Sequence, residues 1–367
     1  MRAVVLVGGE GTRLRPLTLA MPKQMLPVAE VPMIERVLAH LGGHGVTEAV
    51  LSLGYRPGPF LSLFPEGRMG DIALRFVVEP EPMGTAGAIA YAAREAGVDE
   101  TFVAVNGDVL TDLDVSALVT SHRHWGAEGT IALHHVADAS AYGLVTTDAS
   151  GRVKAFVEKP GPGQLAAVAA GGDINAGTYV LEPSVLDRVP VGRAVSIERE
   201  VFPPMASEGV LYAAVSGAYW LDTGTPALYL QAQLDLLDGL RPPPPAPGAV
   251  RRDGAHGPVW LLGEPVIDGL VSGGSLVGTA AFVHAGARVE RSVIGAGARL
   301  AEGAEVRGSV LMAGASVHAG AVVEGSIVGE EAVVGEGAQV RGLSVVGKAM
   351  EVPPGAYLDG ERFPAGG

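Results

Sequence analysis

A regular repeat in the last third of the chain restricts its fold more than any other sequence feature. A serine followed by two aliphatic residues recurs every 17 positions, and the run appears once more after one inserted residue. Within each repeat, aliphatic residues lie six, six and five positions apart. Three short strands per repeat, each turning one aliphatic side chain inward between Gly-rich corners, predict a parallel β-helix, because stacked coils bury apolar faces that one repeat alone leaves exposed. The runs are Ser275–Gly278, Ser292–Gly295, Ser309–Met312, Ser326–Gly329 and Ser344–Gly347, and the inward aliphatics of the regular repeats are Val277, Val283, Val289, Ile294, Leu300, Val306, Leu311, Val317, Val323, Val328, Val334 and Val340.

Residues 1–238 follow a different pattern, in which short β-rich runs alternate with helical ones. Such alternation predicts an α/β domain with a mostly parallel sheet covered by helices, and ligands bind such sheets at the carboxyl ends of the strands. The proline-rich segment Arg241–Gly248 predicts a stiff linker. The predicted division is therefore a first domain at 1–238, a linker at 239–250, and a β-helix with a carboxyl-terminal tail at 251–367. The predicted strands are Ala3–Val7, Ala49–Leu53, Ile72–Val78 and Thr101–Val105, and the predicted helices are Pro32–Leu41 and Gly84–Ala96.

Charge and cysteine content exclude several classes of function. The chain has 26 basic and 40 acidic side chains and a formal net charge of −14, so its surface as a whole repels nucleic acids and anionic membranes. An anionic small substrate therefore needs a local cluster of Lys and Arg. The absence of cysteine excludes disulfides, thiolate metal sites and thiol catalysis, and it favours a reducing, cytoplasmic location. The sequence has no apolar run of the roughly 20 residues that a membrane span requires.

The most informative motif follows the first predicted strand. The segment Leu6–Thr18 is a glycine-rich turn followed by basic residues, and it leads to Met21–Pro27, which contains Lys23. Glycines let backbone N–H groups converge on a phosphate, and Arg13 adds a planar, permanently charged donor. The spacing fits neither a Walker A loop nor a dinucleotide-binding fingerprint.

Together with further motifs, this segment resembles the nucleotide-sugar pyrophosphorylases, most closely the mannose-1-phosphate guanylyltransferases. The resemblance extends through essentially the whole chain and implies a Rossmann-like nucleotidyltransferase fold followed by a left-handed β-helix of hexapeptide repeats. The six-residue step alone does not fix the handedness. The other motifs are Glu81–Gly87, Asn106–Val109, Tyr142-Gly143, Phe156–Pro160, Ile174–Gly177, Ser196–Phe202 and Trp220–Pro226.

The resemblance implies a reaction and a set of site residues. A sugar 1-phosphate attacks the α-phosphorus of a nucleoside triphosphate, with Mg²⁺ present, and pyrophosphate leaves. Since two anions must meet, Arg13 and Lys23 are expected to neutralise charge, and the carboxylates of Asp108 and Asp222 are expected to hold Mg²⁺. Arg13, Lys23 and Asp108 are the expected catalytic residues. The expected nucleotide-binding residues are Val7, Gly8, Gly9, Gly11, Thr12, Arg13, Glu79, Gly84 and Thr85, and the expected sugar-phosphate-binding residues are Gly143, Glu158, Lys159, Asn175 and Gly177.

Glu79 bears on the choice of nucleobase. Related thymidylyl- and uridylyltransferases tend to have Gln at this position. Guanine presents two adjacent donors, N1–H and N2–H₂, and a carboxylate accepts from both, whereas Gln suits the mixed edge of thymine or uracil. Glu79 therefore favours GTP, and the family resemblance implies mannose 1-phosphate as the second substrate.

Three other interpretations stay open on the sequence. One changes the substrates to glucose 1-phosphate with UTP or dTTP. Another is a non-catalytic sensor of nucleotide sugars, although Arg13, Lys23 and both aspartates are retained. The third assigns acyl transfer to the β-helix, with His284 or His318 as base; both are expected on one exterior column, where surface residues of a scaffold also lie.

Two departures from the family and one structural expectation complete the sequence evidence. Glu30-Val31 replaces the usual Asn-Lys, and Thr223 replaces the usual Ile. Asp112 and Asp114 are expected to be turn and cap residues. The open end edges of a β-helix favour association into a homo-oligomer.

Overall fold

The computed structural model describes residues 1–54, 56–158, 171–242, 244–254 and 256–364, and the chain forms two compact units. The sheet unit consists of Met1–Gly9 and Ile34–Trp220, and the coil unit consists of Glu10–Met33 and Leu221–Gly367. The units therefore do not follow the chain-order division at 238 and 251. Residues 10–33, which contain Arg13 and Lys23, belong to the same unit as the β-helix.

Through residue 237 the chain alternates strands and helices, as predicted. The predicted strand at Ile72–Val78 is confirmed without change, and each of the other predicted strands and helices differs from the observed one by at most two residues at either end. The helices are α1 (Met33–Gly43), α2 (Gly58–Leu63), α3 (Gly84–Glu95), α4 (Val115–Trp125), α5 (Ser184–Asp187), α6 (Phe202–Glu208) and α7 (Pro226–Leu237), with a π-helical turn at Ile197–Val201. The strands are β1 (Arg2–Leu6), β2 (Pro27–Val28), β3 (Val31–Pro32), β4 (Glu48–Leu53), β5 (Arg68–Met69), β6 (Ile72–Val78), β7 (Phe102–Asn106), β8 (Val109–Thr111), β9 (Gly129–Val136), β10 (Gly143–Thr147), β11 (Val153–Glu158), β12 (Gly172–Leu181), β13 (Leu211–Ser216) and β14 (Trp220–Asp222).

A mixed sheet forms the centre of the sheet unit. Among the described residues its main path runs β11-β10-β12-β7-β1-β4-β6-β5, with β9 and β13 joined through β12. The pairs β7–β1, β1–β4 and β4–β6 are parallel, which confirms the predicted parallel arrangement for the centre. The long strand β12 is antiparallel to β7, β9 and β10, an arrangement that the sequence pattern does not predict. The parallel strands β1 and β7 end side by side, so the segments that follow them meet at one edge of the sheet.

The repeats form the predicted left-handed parallel β-helix in the coil unit. Three sheets each contribute one strand to every coil, and the predicted inward aliphatics are all buried. His284 and His318 are exposed, and each follows a buried valine on one sheet, which confirms the predicted exterior column. The strands are β15 (Val250–Gly254), β16 (Gly257–Leu261), β17 (Val266–Ile267), β18 (Leu270–Ser272), β19 (Ser275–Val277), β20 (Phe282–Val283), β21 (Arg288–Glu290), β22 (Val293–Ile294), β23 (Arg299–Leu300), β24 (Glu305–Arg307), β25 (Val310–Leu311), β26 (Ser316–Val317), β27 (Val322–Glu324), β28 (Ile327–Val328), β29 (Val333–Val334), β30 (Gln339–Arg341), β31 (Val345–Val346), β32 (Glu351–Val352), β33 (Tyr357–Asp359) and β34 (Arg362–Phe363).

The repeated serine of each coil forms a buried hydrogen-bonded ladder. Ser275, Ser292, Ser309, Ser326 and Ser344 are each fully buried, and each hydroxyl donates to a backbone carbonyl two or three residues earlier at 2.6–2.8 Å. The hydroxyls of Ser275, Ser292 and Ser309 also accept from the N–H of the serine one coil later, at 3.3, 3.1 and 3.1 Å. A buried polar group is stable only when it is hydrogen-bonded, and these bonds let the serine at each corner link successive coils.

The ladder predicts a site-specific loss of stability. Ser309→Ala removes the acceptor for the buried N–H of Ser326 and is expected to lower the free energy of unfolding of the β-helix by about 1–2 kcal/mol. Ser316→Ala is the matched control, because the Ser316 hydroxyl has no hydrogen-bond partner among the described residues. Denaturant-induced unfolding of both variants measures the effect, and equal transition midpoints would contradict a stabilising role for the ladder.

Candidate active site

Most of the predicted nucleotide-binding residues line a small cavity in the sheet unit. It has a volume of about 230 Å³ and lies where β1 ends and α3 begins. Val7 lies in the core, and its backbone N–H donates to the carbonyl of Ser52 at 3.1 Å, so only the remaining backbone of Val7 is available to a ligand. The predicted residues that line the cavity are Gly8, Gly9, Glu79, Gly84 and Thr85, and Leu6, Pro82, Met83 and Ala88 line it as well.

Glu79 is held in this cavity by two hydrogen bonds. The hydroxyl of Ser52 donates to Glu79 Oε1 at 3.0 Å, and the backbone N–H of Met83 donates to Oε2 at 3.3 Å. Because an ionised carboxylate has about four acceptor positions, each oxygen retains one for a ligand. A Cβ on Gly8 would lie 3.6 Å from Oε1, so the glycine turn passes close to the carboxylate. Ser52 was not among the predicted site residues, although a lone hydroxyl in the otherwise apolar run Ala49–Leu53 was a usable signal.

Gly84 and Thr85 fix the start of α3. Gly84 has a φ of 70°, and a Cβ there would lie 2.6 Å from the carbonyl oxygen of Val195. The Thr85 hydroxyl donates to Glu198 Oε2 at 2.7 Å and accepts from the N–H of Ile197 at 2.8 Å. The motif at Ser196–Phe202 therefore holds the amino-terminal end of α3 beside the cavity.

Asp108 follows a tight turn that depends on Gly107. The Gly107 N–H donates to the Leu6 carbonyl at 2.9 Å, and a Cβ at Gly107 would lie 2.8 Å from the same oxygen. Asp108 is half-buried directly after this contact. On the other side of the turn, a Cβ on Gly177 would lie 2.6 Å from Asn106 Nδ2. The turn that carries Asp108 thus lies between the nucleotide cavity and the predicted sugar-binding residues.

Three of the predicted sugar-binding residues are neighbours across β11, β10 and β12. Gly143 pairs with Glu158, and the pairing of Leu144 with Ile174 makes Gly143 and Asn175 adjacent in register. Asn175 Nδ2 donates to the Tyr179 hydroxyl at 2.8 Å, and its Oδ1 accepts from the Gly177 N–H at 3.0 Å. These bonds lie at the irregularity in β12, where Gly177 has a φ of 73°. Lys159 lies outside the described residues.

Trp220 packs beside the predicted sugar-binding residues of β12. Its indole N–H donates to the Ala176 carbonyl at 2.9 Å, and its ring stacks on His134 with centroids 5.4 Å apart. Tyr142 packs edge-on against the same ring at 5.5 Å. Trp220 is therefore a packing residue, and His134 is a neighbour that sequence reasoning missed. Burial is the main cause that lowers the pKa of His134, which favours the neutral ring in this stack.

The predicted triphosphate-binding cations lie in the coil unit, in a segment with little regular structure. Residues 10–26 contain three single 3₁₀ turns. Gly11 has a φ of 62°, and its carbonyl accepts from the Thr18 hydroxyl at 2.8 Å and from the Leu14 N–H at 2.9 Å. Thr12 and Arg13 are exposed at the first of these turns, whereas the Lys23 side chain is only 8% exposed.

Lys23, Arg13 and Asp222 converge around Gly224. Lys23 Nζ lies 3.3 Å from Asp222 Oδ1. A Cβ on Gly224 would lie 2.6 Å from Arg13 Nη2 and 2.9 Å from Asp222 Oδ1, so both groups border this glycine. Asp222 thus forms an ion pair with Lys23, and Arg13 lies next to this pair. Thr225 caps α7, since its hydroxyl accepts from the Leu228 N–H at 3.3 Å.

Helix α7 fixes the end of the same segment. The Tyr229 hydroxyl and Gln233 Nε2 both donate to the carbonyl of Pro27, the latter at 2.9 Å, and Gln233 Oε1 accepts from the Ala29 N–H at 2.6 Å. Both side chains are almost completely buried. Burial raises the pKa of Tyr229, so its hydroxyl remains a donor at neutral pH.

The acidic residues fit a divalent ion that phosphates and water help to coordinate. No cluster of three or more His, Cys, Asp or Glu side chains that could hold a metal occurs among the described residues. Asp108 and Asp222 are both half-buried carboxylates, which are the hard oxygen donors that Mg²⁺ takes. Asp114 instead accepts from the Ala117 N–H at 2.8 Å as the amino-terminal cap of α4, as expected.

Comparisons with known proteins agree with these features. Residues 2–239 match the family described as nucleotidyl transferase, and residues 271–363 match the GMPPB C-terminal domain. A mannose-1-phosphate guanylyltransferase of Mycobacterium tuberculosis is 39% identical over 310 residues, which cover 83% of this chain and 82% of that protein. Mannose-1-phosphate guanylyltransferase 1 of Arabidopsis thaliana is 36% identical over 316 residues, which cover 83% of this chain and 84% of that protein.

A solved structure shares the nucleotidyltransferase fold. HddC from Yersinia pseudotuberculosis, crystallised in complex with GMP-PN, is 29% identical with a TM-score of 0.54, covering 63% of this chain and 97% of that one. No helix in the described parts of this chain is long and apolar enough to cross a membrane. The chain is therefore an enzyme of the nucleotidyl transferase family and belongs with the mannose-1-phosphate guanylyltransferases.

Proposed function

We propose that this protein transfers a guanylyl group from GTP to mannose 1-phosphate, giving GDP-mannose and pyrophosphate. The observation that carries the proposal is Glu79, a carboxylate held in a glycine-lined cavity with one acceptor position left on each oxygen. The relatives named as mannose-1-phosphate guanylyltransferases and a solved relative bound to GMP-PN support it.

Glu79 favours guanine because its two oxygens match two adjacent donors. Ser52 and Met83 each donate to one oxygen of the carboxylate, so each oxygen has a further acceptor position for the base. The guanine N1–H and N2–H₂ groups fit this pair, whereas thymine and uracil present an acceptor next to a donor. An acceptor opposite a carboxylate oxygen leaves a buried group unpaired, which costs much more than a missing contact.

The transfer itself requires positioning and charge neutralisation rather than a protein base. An oxygen of mannose 1-phosphate, already ionised near neutral pH, forms a bond to the α-phosphorus of GTP as the bond to pyrophosphate breaks. Arg13 and Lys23 are the groups proposed to bind the triphosphate and to stabilise the charge that shifts to pyrophosphate. The ion pair with Asp222 orients Lys23 before substrate arrives. Lys159, Gly143, Glu158, Asn175 and Gly177 are proposed to hold the sugar phosphate.

Mg²⁺ is the proposed cofactor. Bound by Asp108 and Asp222, it supplies positive charge to the triphosphate. The half-buried oxygen donors of both residues support this assignment. A cytoplasmic location and association into a homo-oligomer stay predictions from the sequence.

A substrate panel tests the proposal. Pyrophosphate release is measured with GTP, ATP, UTP and dTTP against mannose 1-phosphate and glucose 1-phosphate, with Mg²⁺ and with EDTA. GTP with mannose 1-phosphate is expected to have the highest kcat/KM, and EDTA is expected to abolish turnover. A preference for UTP or dTTP with glucose 1-phosphate would overturn the substrate assignment. No turnover with any pair would favour the nucleotide-sugar sensor.

The base assignment predicts a change in nucleotide specificity for Glu79→Gln. An amide nitrogen faces the guanine N2–H₂ group in this variant, so kcat/KM for GTP is expected to fall roughly hundredfold. ITP lacks N2–H₂, so the ratio of GTP to ITP specificity is expected to fall by about tenfold or more. Glu81→Gln, an exposed position two residues later, is the control. An unchanged GTP-to-ITP ratio in Glu79→Gln would refute the proposed reading of guanine.

The convergence around Gly224 predicts a steric effect on catalysis. The added methyl group in Gly224→Ala overlaps Arg13 Nη2 and Asp222 Oδ1, so kcat is expected to fall roughly hundredfold. Gly217→Ala is the control, because a Cβ there would meet nothing within 4 Å and both changes remove the same backbone freedom. Initial rates and thermal melting of both variants give the answer, and equal rates would contradict the assigned positions of Arg13 and Asp222.

A further inference from the structure

The hairpin formed by β2 and β3 has a strained turn. Val28 pairs with Val31, and the two residues between them, Ala29 and Glu30, have φ values of 46° and 67°. Two-residue hairpin turns with positive φ at both central positions favour Asn and Gly, because a Cβ is unfavourable there. The chain therefore keeps a costly pair of residues at this turn, which indicates that other contacts stabilise it.

One contact comes from the Glu30 side chain to the β-helix. Glu30 Oε2 accepts a hydrogen bond from the Ala296 N–H at 2.7 Å, at the corner between β22 and β23. A Cβ on Gly278, one coil earlier, would lie 3.0 Å from the same oxygen. Burial is the main cause that raises the pKa of Glu30, and the bond to Ala296 acts in the opposite direction. The half-buried carboxylate thus has a backbone N–H of the β-helix as a hydrogen-bond partner.

The hairpin is linked in turn to the residue that carries the buried cation. The Met33 N–H donates to the Leu26 carbonyl at 3.2 Å, and the Leu26 N–H donates to the Lys23 carbonyl at 3.1 Å. The part of the segment around Pro16 also lies against the β-helix. A Cβ on Gly347 of the β-helix would lie 3.2 Å from Pro16 Cβ. The segment with Arg13 and Lys23 therefore has the β-helix as a support at two points.

We propose that Glu30 is a positioning residue for nucleotidyl transfer: its bond to Ala296 lets the β-helix fix the hairpin, and through it the positions of Lys23 and Arg13. The β-helix is then part of the catalytic unit and not only a scaffold for association. This inference rests on the proposed function for its kinetic test. A hydrogen-exchange test does not depend on the identity of the substrates.

Substitution by glycine separates positioning from stability. Glu30→Gly removes the acceptor for Ala296 but relieves the backbone strain, so its melting temperature is expected to equal or exceed that of the wild type. If Glu30 positions the segment, kcat/KM for GTP falls about tenfold in this variant, as for the loss of one hydrogen bond, while KM for mannose 1-phosphate is unchanged. Glu30→Gln keeps an oxygen acceptor and is expected to restore most of the activity.

Glu331→Gly is the matched control. Glu331 is an exposed glutamate of the β-helix with a φ of 57°, so its replacement relieves a comparable strain without touching residues 10–33. Its kinetic constants are expected to equal those of the wild type. Equal activity of Glu30→Gly and Glu331→Gly, in an active enzyme, would overturn the proposal.

Hydrogen exchange of the full-length protein provides the second readout. The amides of Leu14, Arg15, Met25 and Leu26 donate within the 3₁₀ turns, and they are expected to exchange faster in Glu30→Gly but not in Glu331→Gly. Unchanged exchange at these amides would overturn the coupling even if the wild type turned over no tested substrate. A wild type that is inactive, with faster exchange only in Glu30→Gly, would refute the proposed function and leave the coupling supported.

Discussion

The ion pair between Lys23 and Asp222 is the interaction on which the candidate site depends most. It joins segments 199 positions apart and keeps a nearly buried cation in place in a stretch that has few backbone hydrogen bonds of its own. A chain with a net charge of −14 attracts anionic substrates only where such cations are concentrated. Asp222 provides this concentration, because it holds Lys23 beside Arg13 while remaining a carboxylate that a metal ion can use.

Glycines shape the site as much as the larger residues do, because they allow close backbone approaches. Gly107, Gly84 and Gly224 each lie where a Cβ would come within 2.6–2.8 Å of a carbonyl oxygen or a guanidinium nitrogen. These close approaches bring the turn with Asp108 against β1, the start of α3 against Val195, and Arg13 against the Asp222 loop. The glycine content of the chain therefore serves two purposes, since glycines also form the corners of the β-helix.

The sequence was sufficient where a pattern reports local geometry. The 17-residue period located the buried aliphatics of the β-helix, and the polar residues after β1 and β7 located one edge of the sheet. The pattern could not reveal contacts between distant positions, such as Ser52 with Glu79 or Glu30 with Ala296, because no local period encodes them. It also could not show that residues 10–33 belong to the same compact unit as the β-helix, since chain order suggests a simple division near residue 238. The repeated serine is visible in the sequence, but its hydrogen bonds between successive coils become apparent only in the stacked structure.

A structure of the full-length protein with a non-hydrolysable GTP analogue, Mg²⁺ and mannose 1-phosphate tests the central claim most directly. The account predicts that Arg13 and Lys23 contact oxygens of the triphosphate, that Asp108 and Asp222 ligate the metal ion, and that both Glu79 oxygens accept from guanine. A complex in which the triphosphate lies away from residues 10–33, with Arg13 and Lys23 in solvent and the two aspartates far from any metal, would contradict it.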